Sequence, residues 1–225
     1  MTTANVNLTE EQKFAQMKEM LYAAVICDTL DELGYRNQAM RENINPISTD
    51  WVLVGRAKTV LAVDVYHEAE NPYGKEIEAI DSVKKGEVIV GCTNDSVRNG
   101  LWGELLSTAS KMRGANGAVV DGLIRDTKKI LELDFPVFAT GTKPVDSRGR
   151  GMVIDYDCPV KCGGVRVMPG DIIFGDRDGV VVIPSALFDQ VFERAMDKAT
   201  RENASRKELL EGKFLRDVYD KYGVL

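Results

Sequence analysis

The chain has 225 residues, of which 44% are hydrophobic and 28% charged, as in an ordinary soluble globular protein with one folded core. Its formal net charge of −6 and pI near 5.0 argue against a nucleic-acid partner, which would require a basic surface. No apolar run approaches the roughly 18 residues of a membrane span, and the N-terminus lacks the layout of a signal peptide. We therefore expect a cytoplasmic protein without a membrane partner.

The four cysteines fit a reducing compartment better than a disulfide framework. Cys158 and Cys162 are spaced as in half of a zinc site, which would need two further ligands. The only histidine, His67, lies in a distant segment, so we expect structural cysteines. His67 itself is either a general base or a surface residue.

The first predicted element is a helix that begins with a capping box of Thr9 and Gln12. Apolar residues at helical spacing continue it to about Asp28, and a last short stretch ends at Gly34.

Two strands are expected next, over residues 52–55 and 57–65, with a break at Gly55. Lys58 lies in the second strand, where an outward-facing protonated lysine is expected rather than a lysine that forms an imine. A short helix over 77–83 and a buried strand over 88–90 follow. Neither a Walker motif, nor G-x-G-x-x-G, nor G-x-S-x-G is present, so the sequence indicates no nucleotide site and no serine hydrolase.

The central stretch is predicted to be a helix from Leu101 to about Met112 and a buried strand over 117–122. Glu104 stands in the first turn of that helix, and Arg125 and Asp126 follow the strand. Because strand ends meet helix starts in parallel α/β units, we expect these side chains to converge.

The chemistry of such a cluster suits a hydrated divalent cation with an anionic ligand. Leu105 and Leu106 would have backbone amides without helical partners, which can hold a carboxylate. Mg²⁺ takes one or two carboxylates and keeps several waters. A structural interpretation remains open: Asp126 caps the helix over 127–133, and Glu104 favours a helix N-terminus.

The remaining chain is predicted to contain a strand over 136–139, a polar loop over 141–151, and short antiparallel strands over 165–167, 171–174 and 179–183. Arg148 and Arg150 in the loop either bind a second substrate carboxylate or are solvated. From Ala186 the chain is helical, with one apolar face. We predict a single α/β domain over 1–225, with a core of about 45–185 and a C-terminal helical tail, 186–225, that packs on a neighbouring subunit.

Five segments in order, between Asp81 and Pro184, resemble the 4-hydroxy-4-methyl-2-oxoglutarate aldolase family, which is related to the regulator of ribonuclease E activity: WGELL, VVDGLIRD, PVFATGTKP, PVKCGGVRVMPGD and DGVVVIP. Glu104, Arg125 and Asp126 match the family's acidic-X20-Arg-Asp motif. The ribonuclease regulators usually lack the aspartate after the arginine, which this chain retains.

The resemblance implies a swivelling β/β/α sandwich with an N-terminal helix and a long C-terminal helical tail, assembled as a homotrimer or hexamer. It also implies a class II aldolase that depends on Mg²⁺ or Mn²⁺. Such an enzyme cleaves 4-hydroxy-2-oxo acids, such as 4-hydroxy-4-methyl-2-oxoglutarate, to pyruvate and a second carbonyl compound. Oxaloacetate decarboxylation accompanies it, because both reactions pass through pyruvate enolate.

The resemblance also implies the substrate-binding residues. The amides of Leu105 and Leu106 would bind the pyruvyl carboxylate. Arg125 would bind the 2-oxo group and offset the enolate charge.

For the metal, the resemblance implies Asp126 as the direct ligand and Glu104 as a holder of metal-bound water, and that water with Glu104 as the acid/base group. Glu202 from a neighbouring subunit would hold a second such water, although Glu208 lies close in register. Two alternatives remain: a metal-dependent decarboxylase or hydrolase with the same site, and a non-catalytic binding protein like the ribonuclease E regulators.

Overall fold

The computed structural model describes residues 8–224 as a mixed α/β structure. Its strands are β1 Asn45–Pro46, β2 Leu53–Asp64, β3 Glu87–Cys92, β4 Gly100–Trp102, β5 Gly117–Ile124, β6 Val137–Thr142, β7 Gly151–Tyr156, β8 Val160–Cys162, β9 Val165–Val167, β10 Ile172–Asp176 and β11 Gly179–Ile183. Its α-helices are α1 Glu10–Met20, α2 Ala23–Glu32, α3 Gly74–Asp81, α4 Glu104–Met112, α5 Thr127–Leu133, α6 Phe188–Leu210 and α7 Leu215–Tyr222. A turn of 3₁₀ helix, Ser185–Leu187, precedes α6.

One nine-stranded sheet organises the fold. Its order is β1-β6-β5-β3-β2-β10-β11, with β4 paired to β5 and β7 paired to β2. The central strands β6, β5, β3 and β2 run parallel, whereas β10, β11 and β7 run antiparallel to their neighbours. Because β1 also contacts β10 and β11, the sheet curls into a nearly closed barrel. The mixed α/β fold with helices at both ends of the chain is confirmed.

Alternate residues of the strands fill two separate cores, as the two-residue period of a strand requires. Val88 and Val90 of β3 pack inside the barrel with Phe138, while Ile89 between them packs outward under α3, α4 and α5. A third core joins α1, α2 and α6 to the outer face of β10 and β11. The site described below lies at the edge of the core under α3, α4 and α5.

The apolar face of α6 packs on its own chain. Val191, Ala195 and Ala199 are fully buried in the core that also contains α1 and α2. The predicted apolar face is therefore confirmed, whereas the packing of the tail on a neighbouring subunit remains a prediction.

The predicted N-terminal helix is divided in two, because a distant carboxylate starts a new helix. Its capping box is confirmed, since Thr9 and Gln12 exchange both hydrogen bonds. Leu21 and Tyr22 are extended, and the Ala23 amide then donates to Asp176 Oδ2 at 2.8 Å. Asp176 follows in the chain by more than 150 residues, so the break has no local signal.

The two strands predicted around Gly55 are one strand, β2, and the prediction of a break was wrong. Gly55 lies within the strand because its α-carbon faces the Gly86 carbonyl oxygen, which would be 2.3 Å from an added Cβ atom. The expectation of an outward-facing Lys58 was also wrong: the residue is 2% exposed. Its ammonium group donates to Asp157 and to Ser82, each at 2.7 Å, so it is held as a structural ion pair.

The central helix begins later than predicted, and a different face is buried. Leu101 and Trp102 belong to β4, so α4 begins at Glu104. The helical spacing of the apolar residues predicts that Leu105 and Met112 lie on the face packed on the core, but they are 77% and 71% exposed. The buried face carries Ser107 instead, which accepts a hydrogen bond from the Trp102 indole at 2.7 Å.

Candidate active site

Two parallel strands, β4 and β5, deliver the motif residues to the same edge of the sheet. Gly100 pairs with Leu123, and the Arg125 amide donates to the Trp102 carbonyl oxygen at 2.8 Å. The chain after β4 and the chain after β5 are thereby held side by side. The Glu104 amide donates to Asp126 Oδ2 at 3.3 Å, so the predicted convergence is confirmed for the backbone of Glu104 and the side chain of Asp126.

Asp126 does not cap the helix that follows it. It occupies the position before α5 but has a left-handed backbone, φ 58° and ψ 28°, and its carboxylate makes no capping hydrogen bond. The carboxylate is turned toward the start of α4 instead. Gly103 leaves the space for it, because an added Cβ atom there would lie 2.7 Å from Asp126 Oδ2. The structural interpretation of Asp126 as a helix cap was therefore wrong.

The start of α4 presents unpaired amides to a cavity. Within residues 8–224, the Leu105 and Leu106 amides have no hydrogen-bond acceptor, as expected for the first turn of a helix. The cavity has a volume of about 400 Å³. It is lined by Tyr73, Glu76, Ile77, Leu101, Gly103, Leu105, Leu106, Arg125, Asp126, Asp146 and Ser147.

Arg125 supplies the positive charge of this cavity. Its Nη2 atom is 2.9 Å from Asp146 Oδ1, and its Nε atom is 3.9 Å from Asp126 Oδ2. The Nε atom is buried without a hydrogen-bond partner among the described residues. Arg125 is thus oriented by two carboxylates and keeps donor capacity for a ligand.

Asp146 orients Arg125 from the loop between β6 and β7. Burial disfavours its ionised form, but hydrogen bonds from the Tyr73 hydroxyl and the Arg148 amide, with the charge of Arg125, outweigh burial and lower the pKa of Asp146. The hydrogen bond to Asp146 raises the pKa of Tyr73, which keeps its proton. Asp146 is therefore a stable anion that holds the guanidinium in place.

Glu76, from the first turn of α3, is a second acid in the cavity and differs from Asp146. Burial raises its pKa to about 7; the Asp146 charge adds to this increase, and Arg125 opposes it. Glu76 therefore exchanges its proton near neutral pH, which few carboxyl groups do.

The donor set fits a hydrated cation better than a fully protein-coordinated one. No three His, Cys, Asp or Glu side chains within residues 8–224 are arranged to hold a metal ion. Asp126 alone offers the cavity a carboxylate from the motif, and that is compatible with Mg²⁺ bound mostly by water and substrate. Glu104 is turned away, because its Oε1 atom accepts from Thr108 on its own helix at 2.8 Å.

The structure does not bring Glu202 to this cavity within one chain. Glu202 lines a separate cleft of about 190 Å³ between α6 and α7, where burial raises its pKa. Glu208, the neighbouring candidate, pairs with Lys213 and Lys221, and these interactions lower its pKa to about 2. Because Glu208 already has its partners, Glu202 is the better candidate of the two for a contact with another subunit.

The remaining candidates lie outside the cavity. His67 is exposed. Arg148 pairs with Glu68, and Arg150 donates to carbonyl oxygens of its own loop. All four cysteines are free thiols, as expected, with Cys162 fully buried.

Sequence reasoning missed Tyr73, Glu76 and Asp146. For Glu76 a signal existed: with Ala79 and Ile80 it occupies the face of α3 that points to the core. A carboxylate on an otherwise apolar helix face is unusual and indicates a function or a specific partner. Asp146 had no comparable signal, because its partner Arg125 lies in another segment.

The fold and this site define a member of the RraA-like (Aldolase/RraA) family. The family model matches residues 23–182, and the chain belongs to this family. No helix within the described part of the chain has both the length and the apolar character needed to cross a membrane.

Individual relatives agree with this assignment. A Halalkalibacterium halodurans protein, provisionally named 4-hydroxy-4-methyl-2-oxoglutarate aldolase, is 32% identical over 81% of each chain. Protein DlpA of Legionella pneumophila is 29% identical over 98% of this chain, which spans 36% of that protein. The crystal structure of Streptomyces coelicolor RraAS2, described as an unusual member of an RNase ES inhibitor family, superposes with a TM-score of 0.78 at 29% identity, covering 88% of this chain and 97% of that one.

Proposed function

We propose that the protein is a divalent-metal-dependent aldolase that cleaves 4-hydroxy-2-oxo acids to pyruvate and a second carbonyl compound, and that it also decarboxylates oxaloacetate. One observation carries the proposal: Arg125, Asp126 and the free amides of α4 line the same cavity. Asp126 is turned to that cavity rather than used as a helix cap. The provisional aldolase name of the Halalkalibacterium relative supports the same class of reaction.

In the proposed complex the amides of Leu105 and Leu106 bind the substrate carboxylate, since a helix N-terminus favours an anion. Arg125 donates to the 2-oxo oxygen and offsets its negative charge as the C3–C4 bond breaks. Stabilising developing charge with a preorganised donor is the largest single contribution in many enzymes. Asp146 keeps the guanidinium oriented for this task.

Asp126 is the proposed direct ligand of Mg²⁺ or Mn²⁺, and Glu104 would hold a metal-bound water once its side chain leaves Thr108. A bound divalent cation supplies Lewis-acid polarisation of the 2-oxo group. Glu202 of a neighbouring subunit is the proposed further contact, in a homotrimer or hexamer. Within one chain Asp126 has no second carboxylate from the motif beside it in the cavity.

A non-catalytic binding protein is the second candidate, favoured by the similarity to Streptomyces coelicolor RraAS2. Exposed apolar side chains of Ile77 and Leu105 at the cavity would then serve contact with a partner. The two candidates differ in what Arg125 does.

Arg125→Ala separates them. We expect losses of about 10²-fold or more in turnover for both aldol cleavage and oxaloacetate decarboxylation, because both need the enolate stabilised. Steady-state rates of the two reactions are the measurement. Arg148→Ala is the matched control, since that exposed arginine pairs with Glu68 outside the cavity, and it should retain both rates. A folded Arg125→Ala variant with both rates intact would show that the assigned site is wrong.

A further inference from the structure

Glu76 has the placement of a group that acts on a ligand. It lines the same cavity as Arg125 and the amides of Leu105 and Leu106. Within residues 8–224 its carboxylate makes no ion pair and no side-chain hydrogen bond. Glu78, two residues later on the exposed side of α3, is instead 3.5 Å from the Lys75 ammonium group. Glu76 is thus partly buried, has no charged partner and faces the cavity.

The pKa of the Glu76 carboxyl group suits proton transfer at neutral pH. Burial, with the Asp146 charge, raises its pKa to about 7. At neutral pH the group is present in both forms, which is the condition under which a carboxyl group can serve as base and acid in one cycle.

The charges around α3 do not offset the raised pKa of Glu76. Arg125 is already paired with Asp146, so it lowers the pKa of Glu76 less than a free arginine would. The other titratable or charged groups of the neighbouring elements have partners of their own. These are Lys75, near Glu78 and over the ring of Tyr156 in β7; Arg113 after α4, with Asp81; and Tyr73, with Asp146.

We propose that Glu76 is the catalytic acid/base residue of the cavity, which takes the proton from the C4 hydroxyl of a 4-hydroxy-2-oxo acid and returns it to C3 of the enolate. This inference rests on the proposed function and adds a residue that the family motif does not contain. It gives to Glu76 the acid/base role that the resemblance assigns to Glu104 with a metal-bound water, since Glu104 Oε1 accepts from Thr108 on its own helix.

The step balances without a further reactant. Glu76 as carboxylate removes the O–H proton, and the O–H electron pair forms the C4 carbonyl. The C3–C4 pair moves to C2–C3, and the 2-oxo oxygen takes the negative charge, which Arg125 offsets. Glu76 then donates its proton to C3: the C2–C3 π pair forms the new C–H bond, the oxygen pair restores the C2 carbonyl, and pyruvate results. The proton lost by the alcohol is the one gained by pyruvate.

Oxaloacetate provides an internal comparison. Its C3–C4 bond breaks with release of carbon dioxide, so no hydroxyl proton must be removed before cleavage. Glu76 is therefore needed for aldol cleavage but not for the loss of oxaloacetate, whereas Arg125 is needed for both.

Glu76→Gln tests this role, with Glu78→Gln as the matched control on the same helix. We expect Glu76→Gln to lower aldol cleavage by about 10²-fold or more, the usual contribution of a positioned base. The rate at which oxaloacetate is consumed should fall by less than about 10-fold. Exchange of the pyruvate methyl protons with deuterated solvent, followed by NMR, should fall as aldol cleavage does. Glu78→Gln should leave all three rates unchanged.

The pH dependence provides a second readout. As pH rises, wild-type Glu76 loses its proton and becomes the base, so kcat/KM for aldol cleavage should rise and then level off. Mg²⁺ in the same cavity lowers the midpoint of this rise below the pKa of about 7 that Glu76 has without metal. Glu76→Gln should lack this rise. In ¹³C NMR of the protein without substrate or divalent metal, one glutamate carboxyl should titrate near pH 7, and its signal should be missing in Glu76→Gln.

Three results would overturn the role of Glu76: unchanged aldol cleavage in Glu76→Gln, equal losses in aldol cleavage and oxaloacetate decarboxylation, or no carboxyl titrating near pH 7. The failure of the proposed function has a different signature. In that case the wild-type chain would release no pyruvate from any 4-hydroxy-2-oxo acid, and the role of Glu76 would be overturned with it.

Discussion

Asp126 keeps a backbone conformation that its neighbours must enforce. A left-handed conformation outside glycine costs about 1–3 kcal/mol and persists where the surrounding structure imposes it, often at functional sites. Here the conformation has an evident consequence, because it turns the carboxylate from its own helix to the amide of Glu104. The structure therefore uses this residue to shape the cavity rather than to stabilise α5.

Gly103→Ala is a test of that arrangement at the residue scale. The backbone of Gly103 is extended, which alanine adopts freely, but the new methyl group would lie 2.7 Å from Asp126 Oδ2 and 3.3 Å from Arg125 Cγ. We expect the variant to fold and Asp126 to shift, with an affinity for Mn²⁺ lower by about 10–100-fold, as for other changes around metal ligands. Titration calorimetry with Mn²⁺ is the measurement. Wild-type affinity in a folded variant would count against Asp126 as the ligand.

At the residue scale, the sequence predicted the site residues whose placement depends only on the adjacent strand or helix. Arg125 and Asp126 follow a buried strand, and Leu105 and Leu106 open a helix, so their positions come from chain order alone. The spacing did not reveal that Glu104 turns to Thr108, since that depends on a side-chain rotamer.

β2 gives the clearest lesson at the element scale. Glycine was interpreted as a break between strands, but Gly55 is required by the close approach of the Gly86 carbonyl oxygen. A glycine inside a strand has both meanings, and only the neighbouring chain distinguishes them. The ends of β9 and β11 were predicted correctly, because turns rich in glycine and aspartate bound them.

Gly55→Ala should therefore destabilise the protein. The added Cβ atom would lie 2.3 Å from the Gly86 oxygen and 2.9 Å from Val88, so backbone must move, at a cost of about 1–3 kcal/mol in the free energy of unfolding. Gly91→Ala on β3 is the control, since its Cβ atom would meet Val120 at an ordinary 3.5 Å. Urea denaturation of both variants is the measurement. Equal stability of the two would contradict the register of β2 and β3.

Helix α4 has two large apolar residues on the exposed face, which is the opposite of what their spacing predicts. Leu105 and Met112 lie on the exposed face, while Ser107 and Ser110 are fully buried. Ser107 is tolerated there because its hydroxyl accepts from the Trp102 indole and donates to the Gly103 carbonyl oxygen. The Ser110 hydroxyl has no hydrogen-bond partner among the described residues. Periodicity identifies an amphipathic helix, but it cannot tell a face toward the core from one left for another contact.

For the whole molecule, the site of one chain is open on one side. Ile77 and Leu105 at the cavity are 54% and 77% exposed, and Glu202 lies in its own cleft between α6 and α7. Assembly with a second copy, which the resemblance implied, is the proposed way to complete the site.

Mixing two inactive variants tests that proposal. In the proposed homotrimer, Asp126→Ala and Glu202→Ala should each be poorly active. Reassembled at random in equal amounts, about three-quarters of trimers are mixed and each has one interface with both residues intact, so about a quarter of all sites should recover under cyclic symmetry. Activity before and after exchange is the measurement. Cross-linking before mixing is the control and should prevent recovery. No recovery after proven exchange would exclude Glu202 from the site.

The central claim is that this cavity forms pyruvate enolate with the help of a divalent cation, and the most direct measurement is pyruvate release by the full chain from 4-hydroxy-4-methyl-2-oxoglutarate and oxaloacetate. We predict that a chelator abolishes release from both substrates and that Mg²⁺ or Mn²⁺ restores both. Release that continues in the chelator, together with borohydride inactivation only when pyruvate is present, would contradict the account and indicate a lysine imine instead.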